Sequence, residues 1–169
     1  ERSMHPGFLS NTYLVAKADG GEAFFVDAGG PMAPLYEAAE AHDLTPTHVL
    51  LTHHHYDHVS EIEEIKERWP EIKVLVSPKE RAAAEEQSGV SMDEFDAGET
   101  HEIAGLTVKT HAIPGHTAGM LALEIIDPEG GPSNVFTGDT LFKGSVGGVR
   151  APGSTSYADL KDSIMNVLM

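Results

Sequence analysis

Cysteine is absent from the chain. That excludes a disulfide framework and a thiolate metal cluster, and it leaves imidazole and carboxylate as the side chains able to hold a tight metal ion. Positive charge is scarce: 11 Lys and Arg stand against 27 Asp and Glu, for a net charge of -16. Phosphate contacts need clustered Lys and Arg, so this balance argues against sequence-independent attachment to nucleic acid or to an anionic membrane surface. No apolar run approaches the length of a bilayer span, and no segment has the order of a signal peptide. The expectation is a cytoplasmic protein whose partner is a small molecule.

What is present is one domain's worth of core. Apolar residues make up 40% of the 169 positions and come in bounded runs, such as residues 23–26 and 74–76, separated by Gly, Pro and acidic stretches. Glu1 is not an initiator, and the chain stops at Met169 inside an apolar helical pattern. The expected organisation is therefore a single domain over 1–169, truncated at both ends.

Periodicity predicts strands and helices in alternation. Residues 12–16 and 23–27 read as strands joined by the turn at Asp19-Gly20-Gly21. A helix is expected over 34–42, and 47–51 reads as a buried strand. Val59, Ile62, Ile65 and Trp69 recur at helical spacing up to Pro70. Residues 73–76 read as a strand, 78–87 as a helix, and 99–104 with 106–113 as a hairpin about Gly105. Two more strands are expected over 120–126 and 134–137, and Ser156 caps a last helix carrying Tyr157, Leu160, Ile164 and Leu168 on one face. The pattern predicts sheets covered by helices, an α/β or α+β class.

Ten histidines are present, and five residues of one six-residue run offer metal donors or their neighbours: His53-His54-His55-Tyr56-Asp57-His58. On an extended segment His53 and His55 point the same way and can share an ion, while His54 points away. Asp57 and His58 lie where the chain turns into a helix and can face a neighbouring ion. His116, in Pro114-Gly115-His116-Thr117, and Asp139, in Thr137-Gly138-Asp139-Thr140, are potential ligands on short loops at strand ends, and a carboxylate such as Asp139 can bridge two cations. Asp27, at the end of a strand, is either an orienting partner for a ligand imidazole or an ordinary loop carboxylate. His5, His42, His48, His101 and His111 are expected to be solvated or hydrogen-bonded side chains without a metal role.

These motifs resemble those of the metallo-β-lactamase superfamily, whose His-x-His-x-Asp-His signature stands at residues 53–58, and residues 138–160 look most like its glyoxalase II group. The resemblance runs from about Asn11 to the end of the chain. It implies an αββα sandwich with the site at one edge of two sheets. It also implies a first metal on His53, His55 and His116, a second on Asp57 and His58, and Asp139 bridging them. One more histidine of the second site is expected on a segment beyond Met169, and the strand that usually precedes residue 11 is expected to be missing or reduced.

Zinc, two ions, suits neutral imidazole and carboxylate, with iron or manganese as substitutes. The expected chemistry is hydrolysis of a thioester, or a related ester, by hydroxide generated at the ions, with Asp57 orienting the nucleophile and passing on its proton. Lys143 and Arg150 are the candidates for anchoring an anionic substrate. The resemblance also implies a rival, a mononuclear iron persulfide dioxygenase using His53, His116 and Asp139. A third reading is a fragment that binds metal without turning over.

Overall fold

Phe24 and Phe25 are adjacent and both fully buried, which a strand permits only if both faces of its sheet are covered. In the computed structural model, which describes residues 1–169, that is the arrangement. The strand β3 (Glu22–Val26) lies in a six-stranded sheet with β1 (Arg2–Met4), β2 (Asn11–Ala16), β4 (Thr45–Leu50), β5 (Lys73–Val76) and β6 (Asp93–Glu94), ordered as numbered. β1, β2 and β3 pair antiparallel, whereas β3 to β6 run parallel.

The second sheet is an antiparallel meander of β7 (Thr100–Ile103), β8 (Leu106–Ala112), β9 (Leu121–Ile126) and β10 (Asn134–Phe136). Phe24, Val26, Leu50 and Leu75 from the first sheet meet Leu106, Val108, Leu121 and Leu123 from the second in one buried cluster. Phe25, Val49, Leu51, Val74 and Val76 point the other way, into a cluster shared with Leu35, Ile62 and Ile65. Those last three come from the helices α1 (Ala33–Ala41) and α3 (Ile62–Arg68). Each large apolar side chain buried in this way stabilises the fold by roughly 1.5–3 kcal/mol. On the far face of the second sheet, Ile113, Met120 and Ala122 pack against Leu168, from the segment that follows α5 (Tyr157–Asp162). The layers are thus helix, sheet, sheet, helix.

Several sequence expectations gain detail. The 73–76 strand, the second-sheet hairpin and the Ser156 cap, whose side chain accepts from the Asp159 N–H, stand as read. The helical pattern from Val59 to Trp69 is split into α2 (Tyr56–Val59) and α3, because the Glu61 N–H turns aside to donate to the Ala28 carbonyl. The final helix loosens into a π-helical stretch over Ser163–Leu168. The strand expected to be missing or reduced before residue 11 is present in reduced form, the three-residue β1, paired in register through Arg2–Tyr13 and Met4–Asn11. The remaining elements are α4 (Arg81–Ser88) and a two-stranded pair, β11 (Leu141–Phe142) with β12 (Ser145–Val146).

Candidate metal centre

β3, β4 and β5 run parallel, so their C-terminal ends open on one edge of the sheet, where an open α/β sheet places ligands. Asp27 follows β3, the histidine run follows β4, and Glu80 stands shortly after β5 at the start of α4. The second sheet delivers His116 from the β8–β9 connection and Asp139 from the one between β10 and β11.

The nitrogens converge. His53 Nε2 lies 3.1 Å from His55 Nδ1, which lies 2.9 Å from His116 Nε2. His58 Nε2 is 3.3 Å from Asp139 Oδ1, and His116 Nε2 is 3.5 Å from Asp139 Oδ2. Two overlapping donor sets result, His53-His55-His116 and His53-His58-Asp139, each with its ligand atoms within 4.8 Å of one another. Asp57 sits beside the second set, its Oδ2 3.6 Å from His58 Nε2, and belongs to neither tight triad.

The opposite nitrogen of every ring is held by oxygen. His53 Nδ1 is 3.0 Å from Thr52 Oγ1, whose own proton goes to Asp27 Oδ2 at 2.9 Å. His116 Nδ1 donates to the Gly148 carbonyl at 2.8 Å, His55 Nε2 to the Pro152 carbonyl at 2.9 Å, and His58 Nδ1 to Asp27 Oδ2 at 2.8 Å. With those nitrogens carrying protons, the rings in their neutral forms would aim four lone pairs into one small space, an arrangement that repels itself unless a proton or a cation lies between. His58 Nε2 is also buried without a hydrogen-bond partner. Nitrogens bound to one zinc at roughly 2.0–2.1 Å stand roughly 3.3 Å apart in tetrahedral geometry, close to the spacings seen. The residues fit a divalent metal.

Protonation follows the same logic. Burial, then the positive charge of His58, His55 and His116, holds His53 well below the usual imidazole range. Burial also lowers His55, more than the Pro152 carbonyl raises it. For His58, burial opposes the charged form but is outweighed by Asp27 and Asp139, which push it up to about 10. Burial raises Asp139, yet His58 and His116 hold its carboxyl below the ordinary value. Without metal, a proton on His58 supplies the positive charge that the two carboxylates require.

Asp27 takes up its role through an unusual backbone. It is 2% exposed with φ of 57°, a left-handed conformation costly for a residue other than glycine and often retained where a site needs it. In that conformation it accepts from the Thr52 N–H at 2.8 Å as well as from Thr52 Oγ1 and His58. His54 stays out of both triads, as alternation predicts, but it is not idle, because its buried ring bonds to Glu80. Sequence reasoning passed over Glu80 and the Gly148 and Pro152 carbonyls. The one available signal was Glu80's place just after a strand that ends on the same sheet edge as the histidine run. The other histidines lie outside the centre, with His42, His101 and His111 paired to surface carboxylates.

A cavity of about 670 Å³ opens on the His58–Asp139 side. Its floor includes Asp27 and Thr52, and its walls carry Phe8, Leu9, Phe136 and Phe142 with the cations Arg2 and Lys143. Arg150 is not among its lining residues. A more open depression, about 380 Å³ between β2 and α1, touches no metal-site residue. No helix is long and apolar enough to cross a membrane.

Comparisons with known proteins agree with this geometry. A hydroxyacylglutathione hydrolase from Xanthomonas oryzae pv. oryzae (strain MAFF 311018) is 34% identical over 137 residues, 81% of this chain and 49% of the relative. The chain thus spans about half the length of the curated relatives it matches. Among solved structures, TTHA1623 in a di-iron-bound form superposes with a TM-score of 0.74 at 27% identity, covering 96% of this chain and 82% of the other. ETHE1 from Myxococcus xanthus gives 0.78 at 26% identity, with 99% and 68% covered. The model of the metallo-beta-lactamase superfamily matches residues 5–168, so the chain belongs to that superfamily, on its motifs, its layered fold and its convergent donors together.

Proposed function

We propose that the chain forms the metal-bearing part of a hydrolase that cleaves a thioester, in the manner its glyoxalase II-like relatives' name describes. The observation that carries the reading is the convergence of four imidazole rings and Asp139, with His58 and Asp139 lining the 670 Å³ cavity. In this reading His53, His55 and His116 would hold one divalent ion and His58 and Asp57 a second, with Asp139 a donor to both. Such ions, when bound, bring the pKa of a water toward neutrality and polarise an acyl carbonyl. Zinc suits these donors, and the di-iron form of a structural neighbour supports iron as a working substitute.

The chain's own groups do the rest. Asp57, whose Oδ2 lies 3.6 Å from His58 Nε2, would orient the attacking water and take its proton. Asp27 and Thr52 keep His58 and His53 in the tautomers that leave their inner nitrogens free. Phe8, Leu9 and Phe142 offer apolar cover for an acyl group, while Lys143 and Arg2 meet an anionic end in an otherwise acidic protein. The decisive assay measures hydrolysis of S-lactoylglutathione and of simple thioesters by metal-loaded protein, with metal counted per chain. Two ions and thioester turnover support the proposal; a fully loaded but inert protein overturns it.

The likeness to ETHE1 supports a second reading, a mononuclear iron persulfide dioxygenase on His53, His116 and Asp139. One iron per chain and oxygen consumption with a persulfide select it over hydrolysis.

A further inference from the structure

Glu80 is 1% exposed and belongs to neither donor triad. A buried carboxylate is costly unless its oxygens are fully occupied, and these are. Oε2 accepts from the His54 N–H at 3.2 Å and bonds the ring Nδ1 of the same residue. Oε1 accepts from the Gly119 N–H at 2.6 Å. Burial raises the Glu80 carboxyl, but these bonds outweigh it and hold the group below its ordinary value.

The partners are what matter. His54 lies between the ligands His53 and His55, so fixing its backbone and ring fixes the stretch of chain that sets the spacing of the two rings. Gly119 lies three residues past His116, on the loop from the other sheet. One carboxylate therefore ties together the two loops whose nitrogens must meet. The approach is close enough that a Cβ on Gly119 would lie 2.7 Å from Glu80 Oε1. The His54 ring also abuts Gly153, where a Cβ would come within 2.6 Å of Cε1. The Gly153 carbonyl accepts from the Ala118 N–H at 2.9 Å, and its neighbour Pro152 holds His55. The Gln87 amide donates to the His54 carbonyl at 2.8 Å.

We infer that Glu80 is a positioning residue of the metal centre: through His54 and Gly119 it sets the distance between the His53–His55 loop and the His116 loop that a shared cation requires. A carboxylate is needed rather than an amide, because every group facing it is a donor. In glutamine at this position, the side-chain NH2 would take the place of one carboxylate oxygen and confront at least one N–H. The inference stands on the metal centre and does not depend on which substrate is cleaved.

The test uses the complete natural protein, stripped of metal and titrated with cobalt and with zinc against a competing chelator. Glu80→Gln is expected to raise the Kd of the first ion by roughly 10–100-fold, the range for outer-shell partners of metal ligands. The cobalt absorption bands are expected to shift, while the metal-free variant still melts cooperatively. His54→Ala, which leaves Glu80 its bonds to both backbone N–H groups, is expected to weaken binding several-fold less. A Glu80→Gln protein that binds both metals within twofold of the natural chain, with unchanged cobalt bands, overturns the inference whatever its melting temperature, since a purely structural carboxylate alters stability alone. Should Glu80→Gln fail to fold, His54→Ala decides: weakened binding upholds the inference, and unaltered affinity with unaltered cobalt bands overturns it.

Discussion

His58 Nδ1 lies 2.8 Å from Asp27 Oδ2, and both side chains are buried. This pair joins the end of β3 to the start of α2 and turns the free nitrogen of His58 toward Asp139. Removing the negative charge while keeping the shape isolates its effect. Asp27→Asn is expected to weaken binding of the ion proposed for His58 by roughly 10–100-fold and to destabilise the metal-free protein by roughly 3–5 kcal/mol, because a buried charge loses its partner. Chelator competition and denaturant melts measure the two losses; an undiminished metal affinity would contradict this account of the pair.

The same pair predicts a pH dependence. Its environment raises His58 from 6.5 to about 10. In the metal-free fold this protonation contributes stability that is fully present below pH 6.5 and is lost as pH rises through 10. Metal-free melting temperature is therefore expected to fall between those values. Because a bound cation displaces this proton, metal affinity is expected to rise across the same window, with proton release at neutral pH. Calorimetry in buffers of different ionisation enthalpy measures the release directly, and binding without any release would rule the protonated state out.

Chelation provides a third check. Four ring nitrogens facing one another at such short range favour the metal-bound fold over both the metal-free and the unfolded chain. At a free cation concentration about 100 times its Kd, binding to the folded state alone adds about 2.7 kcal/mol. The melting temperature is expected to drop on treatment with a chelator and return on adding metal back, with His116→Ala abolishing most of the difference.

Lys143 and Arg150 make contrasting predictions, since Lys143 lines the cavity and Arg150 does not. Lys143→Ala is expected to raise KM for an anionic thioester roughly tenfold at similar kcat, as the loss of one charge-assisted bond of about 1.5 kcal/mol implies. Arg150→Ala is expected to leave it unchanged. An uncharged thioester is expected to be indifferent to both, and Arg2→Ala to behave like the lysine variant. Steady-state kinetics with the paired substrates separates these cases.

Much of this molecule was legible before any coordinates. The apolar run over 47–51 already read as a buried strand, and Val49, Leu50 and Leu51 are fully buried in the structure, because a short run without polar alternation leaves no face for water. Short-range features that depend on a few neighbours, such as the Ser156 cap, were equally plain. β1, β6 and the β11–β12 pair were not, for they are only two or three residues long and owe their form to a neighbouring strand and not to their own pattern. The split between α2 and α3 likewise depends on a carbonyl of Ala28, more than 30 positions away along the chain.

By itself the sequence determined which donors exist and that His53 and His55, two apart on extended backbone, turn toward one another while His54 turns aside. Only the tertiary structure decided that His116 and Asp139 come within 3.5 Å of one another and that a passed-over Glu80 spans the loops that meet there. Contacts between segments 39 and 61 residues apart come from the packing of two sheets across a shared core, and no periodicity within either segment encodes the distance at which they meet.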